Sequence, residues 1–416
     1  MKSEQSCTVA AGGTVSRART YRCAALVALT SLVTGVALAQ VPPKIETGLK
    51  KIGQIVDPSC TADLYRPLMP KNDIRSDANP LYPGIAIARN QSFGPNPDDV
   101  VDIFTADRGA ASRPVLIYVP GGIGNKIETQ DTAANAFYDN IGRWATQHGM
   151  VGVLMQRHPS PGWDSGAKDV SSMLQWVEAN IAQYHGNSDR MFIWAHSAGN
   201  GPLGTYIGRP ELYGPKGVGV IGVIFMSGAF DIAPVQPAAA FGGANFRQMM
   251  LNAGKTCHEP GGMASTAGVL PGVPAGSPGG PPPPGPAFGA PPAAGAGPGA
   301  PPAGRRGGGG FGAPVDPAVQ LAHSSLPALK TTSVKIMLAD AQLDPGISMS
   351  VDHGESSFNK ALHDALCAVG PDHCPTMLVA KGESHMGEVF SIDTSDQNVS
   401  GPVLAFIHKT LREQAP

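Results

Sequence analysis

Short apolar runs alternate with longer segments of helical periodicity along the centre of this chain. The runs have the length of buried strands, and they lie at residues 114–119, 151–155, 191–195, 218–226, 333–339 and 376–380. Apolar side chains recur every three or four residues at 132–148, 167–184, 356–369 and 403–411, which predicts amphipathic helices. This succession of strands and helices predicts an α/β fold, with a mostly parallel central sheet and helices on both faces.

The residues before this pattern predict a different kind of strand pairing. Strands are expected at 84–89 and 100–105, with a Gly-Pro-Asn-Pro turn at 94–97, which indicates an opening antiparallel hairpin. A short helix is expected at 45–55, followed by irregular chain to residue 83. We therefore divide residues 40–416 into an N-terminal extension, 40–83, and a single large domain, 84–416.

One long interruption separates the strand at 218–226 from the next one. Of the 44 residues in 271–314, 14 are Pro and 15 are Gly, a composition that cannot bury a core. Because the strand pattern resumes afterwards, we interpret 258–316 as a disordered Pro/Gly-rich insertion within one domain. A linker between two domains is the less favoured alternative, since neither side looks complete alone.

The N-terminal residues have the pattern of an export signal. Arg17, Arg19 and Arg22 precede an apolar run at 23–39, which ends in Ala37-Leu38-Ala39, a small-residue cleavage site. We expect residues 1–39 to be removed and the protein to be periplasmic or secreted. An uncleaved membrane anchor is the alternative, but the run is short and rich in Ala, Thr and Ser. No later stretch is apolar enough to span a membrane.

Composition narrows the classes of partner and cofactor. The formal net charge is −2, with no basic patch among aromatic residues, so no nucleic-acid partner is expected. Cys60, Cys257, Cys367 and Cys374 lie beyond the signal, and an even number in an exported protein suits disulfides. Three pairings are possible, of which Cys367–Cys374 with Cys60–Cys257 is favoured. No metal-ligand spacing occurs, and neither a metal nor an organic cofactor is predicted.

The strongest chemical motif surrounds Ser197. It reads Ala195-His196-Ser197-Ala198-Gly199, between the predicted strand at 191–195 and a helix-like segment at 202–207. A strand, a tight turn with a central Ser and a helix form a nucleophile elbow. Positions two before and two after the Ser crowd each other and must be small, which Ala195 and Gly199 satisfy, although Gly is usual at the first. Ser197 is therefore the candidate nucleophile.

An acid and a base follow Ser197 in the chain order of α/β-hydrolases. His385 comes a short loop after the last predicted strand and is the candidate base. Asp340 and Asp344 are both expected beyond the strand at 333–339. Asp344 is preferred, because the acid usually lies several residues into the loop, and Asp340 is the alternative.

Backbone donors are needed for the oxyanion of an acyl-transfer reaction. One is expected to be the N–H of Ala198, the residue after the nucleophile. The other is expected from Gly121 or Gly122, which follow the strand at 114–119 and let the backbone approach the substrate.

With these residues in place, the sequence resembles the bacterial carboxylesterase group of α/β-hydrolases, near its hormone-sensitive-lipase-like and feruloyl-esterase-like members. The resemblance spans about 94–411 without the insertion and is densest at 138–140, 161–170 and 176–181. Members usually carry His-Gly-Gly-Gly at the oxyanion loop, whereas this chain has Pro120-Gly121-Gly122-Ile123. The resemblance implies hydrolysis of a small-molecule carboxylic ester by a Ser-His-Asp triad without a cofactor, and it implies a lid at 229–257.

Other functions stay open at this point. An amidase, a peptidase or a lactonase would use the same triad. A catalytically inactive hydrolase fold could serve for binding, although such proteins usually lose the Ser or the His. A cell-envelope interaction protein could use the Pro/Gly tract for recognition, but Phe288 and Phe311 are its only aromatic residues, which favours a spacer.

Overall fold

A computed structural model describes residues 41–53, 58–69, 82–106, 112–121, 136–157, 165–235, 316–344 and 358–414. Several predictions lie outside these residues. They are the export signal, the Pro/Gly insertion but for residue 316, the lid beyond residue 235, Gly122 and Cys257.

The described strands form one sheet in the order β1-β2-β4-β3-β5-β6-β7-β8. Their bounds are β1 Ile85–Ser92, β2 Val100–Ala106, β3 Arg113–Val119, β4 Val151–Met155, β5 Gly186–His196, β6 Gly222–Met226, β7 Lys335–Ala341 and β8 Thr376–Ala380. The first strand pairs antiparallel with the second, and the second pairs antiparallel with β4. All other neighbours are parallel. The predicted hairpin and the predicted parallel sheet are both confirmed.

The described helices connect and flank these strands. Their bounds are α1 Pro43–Ile52, α2 Pro58–Tyr65, α3 Ala136–Gln147, α4 Ser165–Asn180, α5 Asn200–Ile207, α6 Pro317–His323, α7 Leu326–Thr331, α8 Phe358–Cys367, α9 Gly387–Phe390 and α10 Ser400–Glu413. None of the helices in the described part of the chain is long and apolar enough to cross a bilayer.

The sheet separates two hydrophobic cores. Alternate residues of β3 enter opposite cores, because successive side chains of a strand point to opposite faces: Val115 and Ile117 enter one, and Leu116 and Tyr118 the other. Helices α4, α5 and α8 pack on the first face, while α3 and α10 pack on the second. The apolar runs of the sequence are therefore buried on both sides, as parallel strands between helix layers require. This strand order and helix arrangement confirm the predicted α/β-hydrolase fold.

Two strand boundaries differ from the prediction for identifiable reasons. The strand expected from residue 218 starts only at Gly222, because Gly217 and Gly219 both have a φ of +72°, which breaks the extended backbone. The strand expected to end at 339 continues to Ala341, because Asp340 and Ala341 still pair with Val379 and Ala380 of β8.

The described part of the N-terminal extension contains more helix than the sequence predicts. Irregular chain was predicted after residue 55, but Pro58–Tyr65 is the helix α2, so that prediction is wrong there. Leu49 of α1 and Tyr65 of α2 are fully buried in the second core. Helix α2 is held by side-chain burial, which its short and weakly periodic sequence does not predict.

The predicted bridge between Cys367 and Cys374 is confirmed. Cys60 is also disulfide-bonded. Its pairing with Cys257 stays a prediction, since Cys257 lies outside the described residues.

Candidate active site

Ser197 lies at a sharp turn between β5 and α5. The strand ends at His196, a 3-10 turn covers Ser197–Gly199, and α5 begins at Asn200. Ser197 has a φ of +52°, a left-handed conformation that residues other than Gly rarely adopt. Such a conformation at a strand-to-helix turn is the geometry of a nucleophile elbow.

The small residues around Ser197 are explained by close backbone approach. A Cβ at Gly199 would lie 2.5 Å from the carbonyl oxygen of Val119 and 2.8 Å from that of Pro120. Ala195, on the other side of the turn, is fully buried. The turn can therefore exist only because residue 199 has no side chain, as the sequence pattern predicted.

Asn200 stabilises the turn through two side-chain hydrogen bonds. Its Nδ2 donates to the carbonyl oxygen of Ser197 and to that of Met226, each at 2.9 Å. The side chain is fully buried and joins the elbow to the end of β6.

The structure brings Ser197, His385 and Asp344 together. Nε2 of His385 lies 2.8 Å from Oγ of Ser197, and Nδ1 lies 2.7 Å from Oδ2 of Asp344. A carboxylate accepts hydrogen bonds, so Nδ1 carries the hydrogen and Nε2 is left as the acceptor facing the serine. This is the tautomer that a general base for Ser197 requires.

Two loops at the carboxyl edge of the sheet carry the candidate acid and the candidate base. Asp344 follows the end of β7 and His385 follows the end of β8. The loops are joined by a 2.8 Å hydrogen bond from the backbone N–H of Leu343 to the carbonyl of Glu383. Asp344 and His385 are both buried, which keeps their hydrogen bond away from competing water.

The alternative acid, Asp340, occupies a different environment. It lies within β7, and not beyond the strand as the sequence suggested, because the pairing with β8 extends past it. Its Oδ1 accepts a 2.6 Å hydrogen bond from Nδ2 of Asn359 on α8. Asp344, and not Asp340, therefore faces His385.

The expected oxyanion donors are only partly described. Gly121 is close to the serine, since a Cβ built on it would lie 2.7 Å from Cβ of Ser197. Ala198 lies within the 3-10 turn, directly after the serine. Gly122 lies outside the described residues, so its assignment stays a prediction.

A second histidine and a glutamate, which the sequence did not mark, lie beside the three candidate residues. Nε2 of His196 lies 2.9 Å from the carbonyl oxygen of His385 and 3.2 Å from Oε1 of Glu388. The two imidazole rings lie 4.7 Å apart between centroids. His196 adjoins Ser197 and Glu388 follows His385 by three residues, but neither spacing is a known motif, so no sequence signal marked them.

Burial changes the protonation of both groups. It lowers the pKa of His196 to about 4, against the opposing effects of the His385 carbonyl and Asp344. Burial also raises the pKa of Glu388 well above its ordinary range, whereas His385 and the Ser227 hydroxyl favour its ionised form. Both groups are therefore biased toward their neutral forms.

A buried acidic cluster lies on the other side of the His385 loop. The Tyr65 hydroxyl donates to Oε2 of Glu383 at 2.7 Å. Burial and the neighbouring Asp396 raise the pKa of Glu383 well above its ordinary range, and burial raises the pKa of Asp396 as well. Because the Glu383 carbonyl also binds the loop of Asp344, this cluster connects α2 to both triad loops.

Two groups of side chains in the described residues have donor atoms close enough together for a metal. One is His363 with Cys367 and Cys374, but these cysteines form a disulfide and supply no thiolate. The other is His196 with His385 and Glu388. There the nitrogens of His385 face Ser197 and Asp344, and Nε2 of His196 faces a carbonyl, so these donors already have protein partners.

No protein family matches this chain in sequence, and neither does any curated protein. Solved structures resemble it at low identity. An esterase from the archaeon Pyrobaculum calidifontis is 11% identical, with a TM-score of 0.49 over 90% of this chain and 99% of that one. Esterase B from Lactobacillus rhamnosis is 12% identical, with a TM-score of 0.48 over 80% and 88%.

A third solved structure resembles this chain with a similar identity and TM-score. It is carboxyl esterase 2 from the fungus Tuber melanosporum, which is 11% identical, with a TM-score of 0.47 over 81% of this chain and 89% of that one. At such values the fold assignment rests on the strand order and the Ser197 turn of this chain itself. The finer resemblance to the hormone-sensitive-lipase-like and feruloyl-esterase-like group stays a prediction.

Proposed function

We propose that this protein is a serine hydrolase that cleaves carboxylic esters of small molecules through an acyl-enzyme intermediate. The observation that carries the proposal is the chain of contacts from Ser197 Oγ to His385 Nε2, at 2.8 Å, and from His385 Nδ1 to Asp344, at 2.7 Å. These distances are within the range that proton transfer from a nucleophile to its base requires. The left-handed turn at Ser197 adds independent support.

Each residue has one role in the proposed reaction. His385 takes the proton of Ser197 as the oxygen attacks the acyl carbon, and then gives it to the leaving alcohol. A water molecule, activated by the same imidazole, hydrolyses the acyl-enzyme. Asp344 holds the Nδ1–H tautomer and stabilises the imidazolium. The backbone N–H of Ala198 and donors of the Gly121–Gly122 segment stabilise the oxyanion, each worth about 3–4 kcal/mol.

We further propose that the protein is exported. The N-terminal pattern of basic residues, an apolar run and Ala-Leu-Ala motivates this proposal. The disulfide between Cys367 and Cys374 supports it, since such bonds persist mainly in oxidising compartments. Fractionation of the producing cells, with N-terminal sequencing of the product, tests it, and a product in the cytoplasm that retains residues 1–39 would contradict it.

The test of the activity is hydrolysis of p-nitrophenyl butyrate by the wild type and by Ser197→Ala, together with labelling by a fluorophosphonate. We expect turnover and labelling at Ser197 in the wild type and neither in the variant. The butyryl p-nitroanilide, with the same acyl group, separates an esterase from an amidase. A wild-type protein that neither turns over the ester nor takes the label would overturn the proposal and favour a binding role.

A further inference from the structure

The ring of His196 lies between the two halves of the candidate active site. On one side, its Nε2 is 2.9 Å from the carbonyl oxygen of His385. On the other, its Nδ1 lies 3.1 Å from where a Cβ of Gly121 would be, at the strand exit that leads to the oxyanion segment. The imidazole therefore contacts both the base loop and the β3 exit.

The tautomer of His196 follows from its partner. A carbonyl oxygen only accepts hydrogen bonds, so Nε2 must carry the hydrogen. In the neutral ring Nδ1 is then an acceptor that faces the Gly121 segment. Since burial lowers the pKa of His196 to about 4, the ring is neutral near pH 7. A charged ring here would lie 4.7 Å from the imidazole of His385 and would oppose its protonation during the reaction.

The surroundings of His196 are built to hold the ring in place. Glu388, fully buried on α9, lies 3.2 Å from its Nε2. Ser227 after β6, Asp344 after β7 and His385 after β8 all affect the ionisation of Glu388, and Glu388 in turn helps to raise the pKa of Tyr118 on β3. Ser227 in turn accepts from the backbone N–H of Ala341 at 3.2 Å. Burying a polar ring costs free energy unless hydrogen bonds compensate, and the bond to the His385 carbonyl supplies that compensation for His196.

We propose that His196 is a positioning residue for His385: its Nε2–H anchors the His385 backbone and thereby sets the imidazole between Ser197 and Asp344. His196 and Ser197 are consecutive residues, so the nucleophile and the proposed anchor of its base lie on the same short piece of backbone. The nucleophile and the base would then move as one unit, although they are 188 residues apart. This inference rests on the proposed function for its kinetic consequence, but its structural consequence can be measured without a substrate.

The first experiment compares His196→Phe with His196→Gln. Phe keeps a planar ring but removes the donor, whereas the Gln amide nitrogen can occupy the place of Nε2 and donate to the carbonyl. We expect His196→Phe to lower kcat by about 10- to 100-fold with KM within about twofold, as misplacement of a catalytic group does. We expect His196→Gln to keep kcat within about threefold of the wild type.

The second experiment tests the positioning of His385 without any catalysed reaction. In the Ser197→Ala background, which has no nucleophile, NMR reports the low-field Nδ1–H resonance of His385, which depends on the hydrogen bond to Asp344. With His196→Phe we expect this resonance to weaken, because the contact with Asp344 loosens. With His196→Gln we expect the resonance to stay unchanged.

These outcomes separate the two proposals. If the wild type hydrolyses no ester but the His385 resonance weakens in His196→Phe as expected, the positioning role stands and the esterase function fails. If His196→Phe leaves kcat and the resonance unchanged, or if Gln is as damaging as Phe, the positioning role is wrong. Should the Phe variant not fold by circular dichroism, His196→Asn replaces it, since Asn is too short to reach the carbonyl, with the same expectations.

Discussion

At the scale of single residues, the candidate site depends on one backbone conformation. Ser197 has a left-handed φ of +52°, and the chain must pass very close to the end of β3 to form that turn. The requirement is steric, so it constrains the neighbouring residues as strictly as the serine itself. Glycine at residue 199 is the clearest case.

Gly199→Ala is expected to disrupt the turn. The added Cβ would lie 2.5 Å from the carbonyl of Val119, and overpacking of backbone costs about 1–3 kcal/mol of unfolding free energy. We also expect a loss of about 100-fold in kcat, because the serine would be displaced. The control is Gly201→Ala, whose Cβ would meet only the carbonyl of Ala229, at 3.8 Å. Equal activity of both variants would contradict this explanation.

The identity of the acid is a second residue-scale prediction. Asp344→Asn should lower kcat by about 10³–10⁴-fold, because an amide would favour the wrong tautomer of His385. Asp340→Asn should stay within about threefold, since its side chain contacts Asn359 within the sheet, and the amide oxygen can still accept that bond. Kinetics of the two variants on one ester check this. A larger loss in the Asp340 variant would reverse the assignment.

At the scale of elements, helix α2 of the N-terminal extension contacts the edge of the sheet that carries the candidate site. The Tyr65 side chain, at the end of α2, is fully buried and donates to Glu383, which lies two residues before His385. Secondary structure outside the central sheet thus supports the loop that holds the base. Only the folded chain brings these two segments, 318 residues apart, together.

Removal of one hydroxyl tests this support. Tyr65→Phe removes the hydroxyl that donates to the buried Glu383, so the unfolding free energy should fall by about 1–3 kcal/mol. Tyr184→Phe is the matched control, because the Tyr184 hydroxyl donates to Gln91 at 3.1 Å in a half-buried place. Urea unfolding of the three proteins measures the difference. If the control variant loses as much stability as Tyr65→Phe, the buried Tyr65–Glu383 hydrogen bond contributes no more to the unfolding free energy than an ordinary half-buried one.

At the scale of the whole molecule, buried carboxyl groups give the stability an unusual pH dependence. Burial raises the pKa of Glu383, Glu388, Asp393 and Asp396, and Asp393 reaches about 6 despite its ion pair with Arg143. For each of these groups the folded state binds more protons than the unfolded state. The unfolding free energy therefore falls as pH rises through the window between the two pKa values. His196 acts in the opposite direction between pH 4 and 6.5.

Glu383→Gln isolates one of these contributions. The variant keeps the acceptor for Tyr65 but cannot ionise, so its stability relative to the wild type should rise as pH increases from 4.5. Each pH unit inside the window contributes up to about 1.4 kcal/mol. Thermal unfolding from pH 4.5 to 8 measures this, with the exposed Glu211→Gln as the control. A difference between Glu383→Gln and the wild type that does not change with pH would contradict a raised pKa at Glu383.

Features that depend on a local pattern of residues could be predicted from the sequence alone. Apolar runs marked the strands, and small residues around Ser197 marked the turn, because backbone crowding acts between near neighbours in the chain. His385 was identified from its place after a strand, since parallel strands end at one edge of the sheet. The disulfide between Cys367 and Cys374 followed from short spacing in the same way.

Tertiary structure alone decided what depends on pairing between distant segments. Asp340 lies in a strand because it pairs with Val379, and the residues near Asp340 in the sequence do not indicate that partner. The partners of His196 and Tyr65 are 189 and 318 residues away, and neither side chain belongs to a periodic pattern. Burial, which shifts the pKa of His196 and Glu383, is likewise a property of the packed molecule, because it depends on every element that surrounds a group.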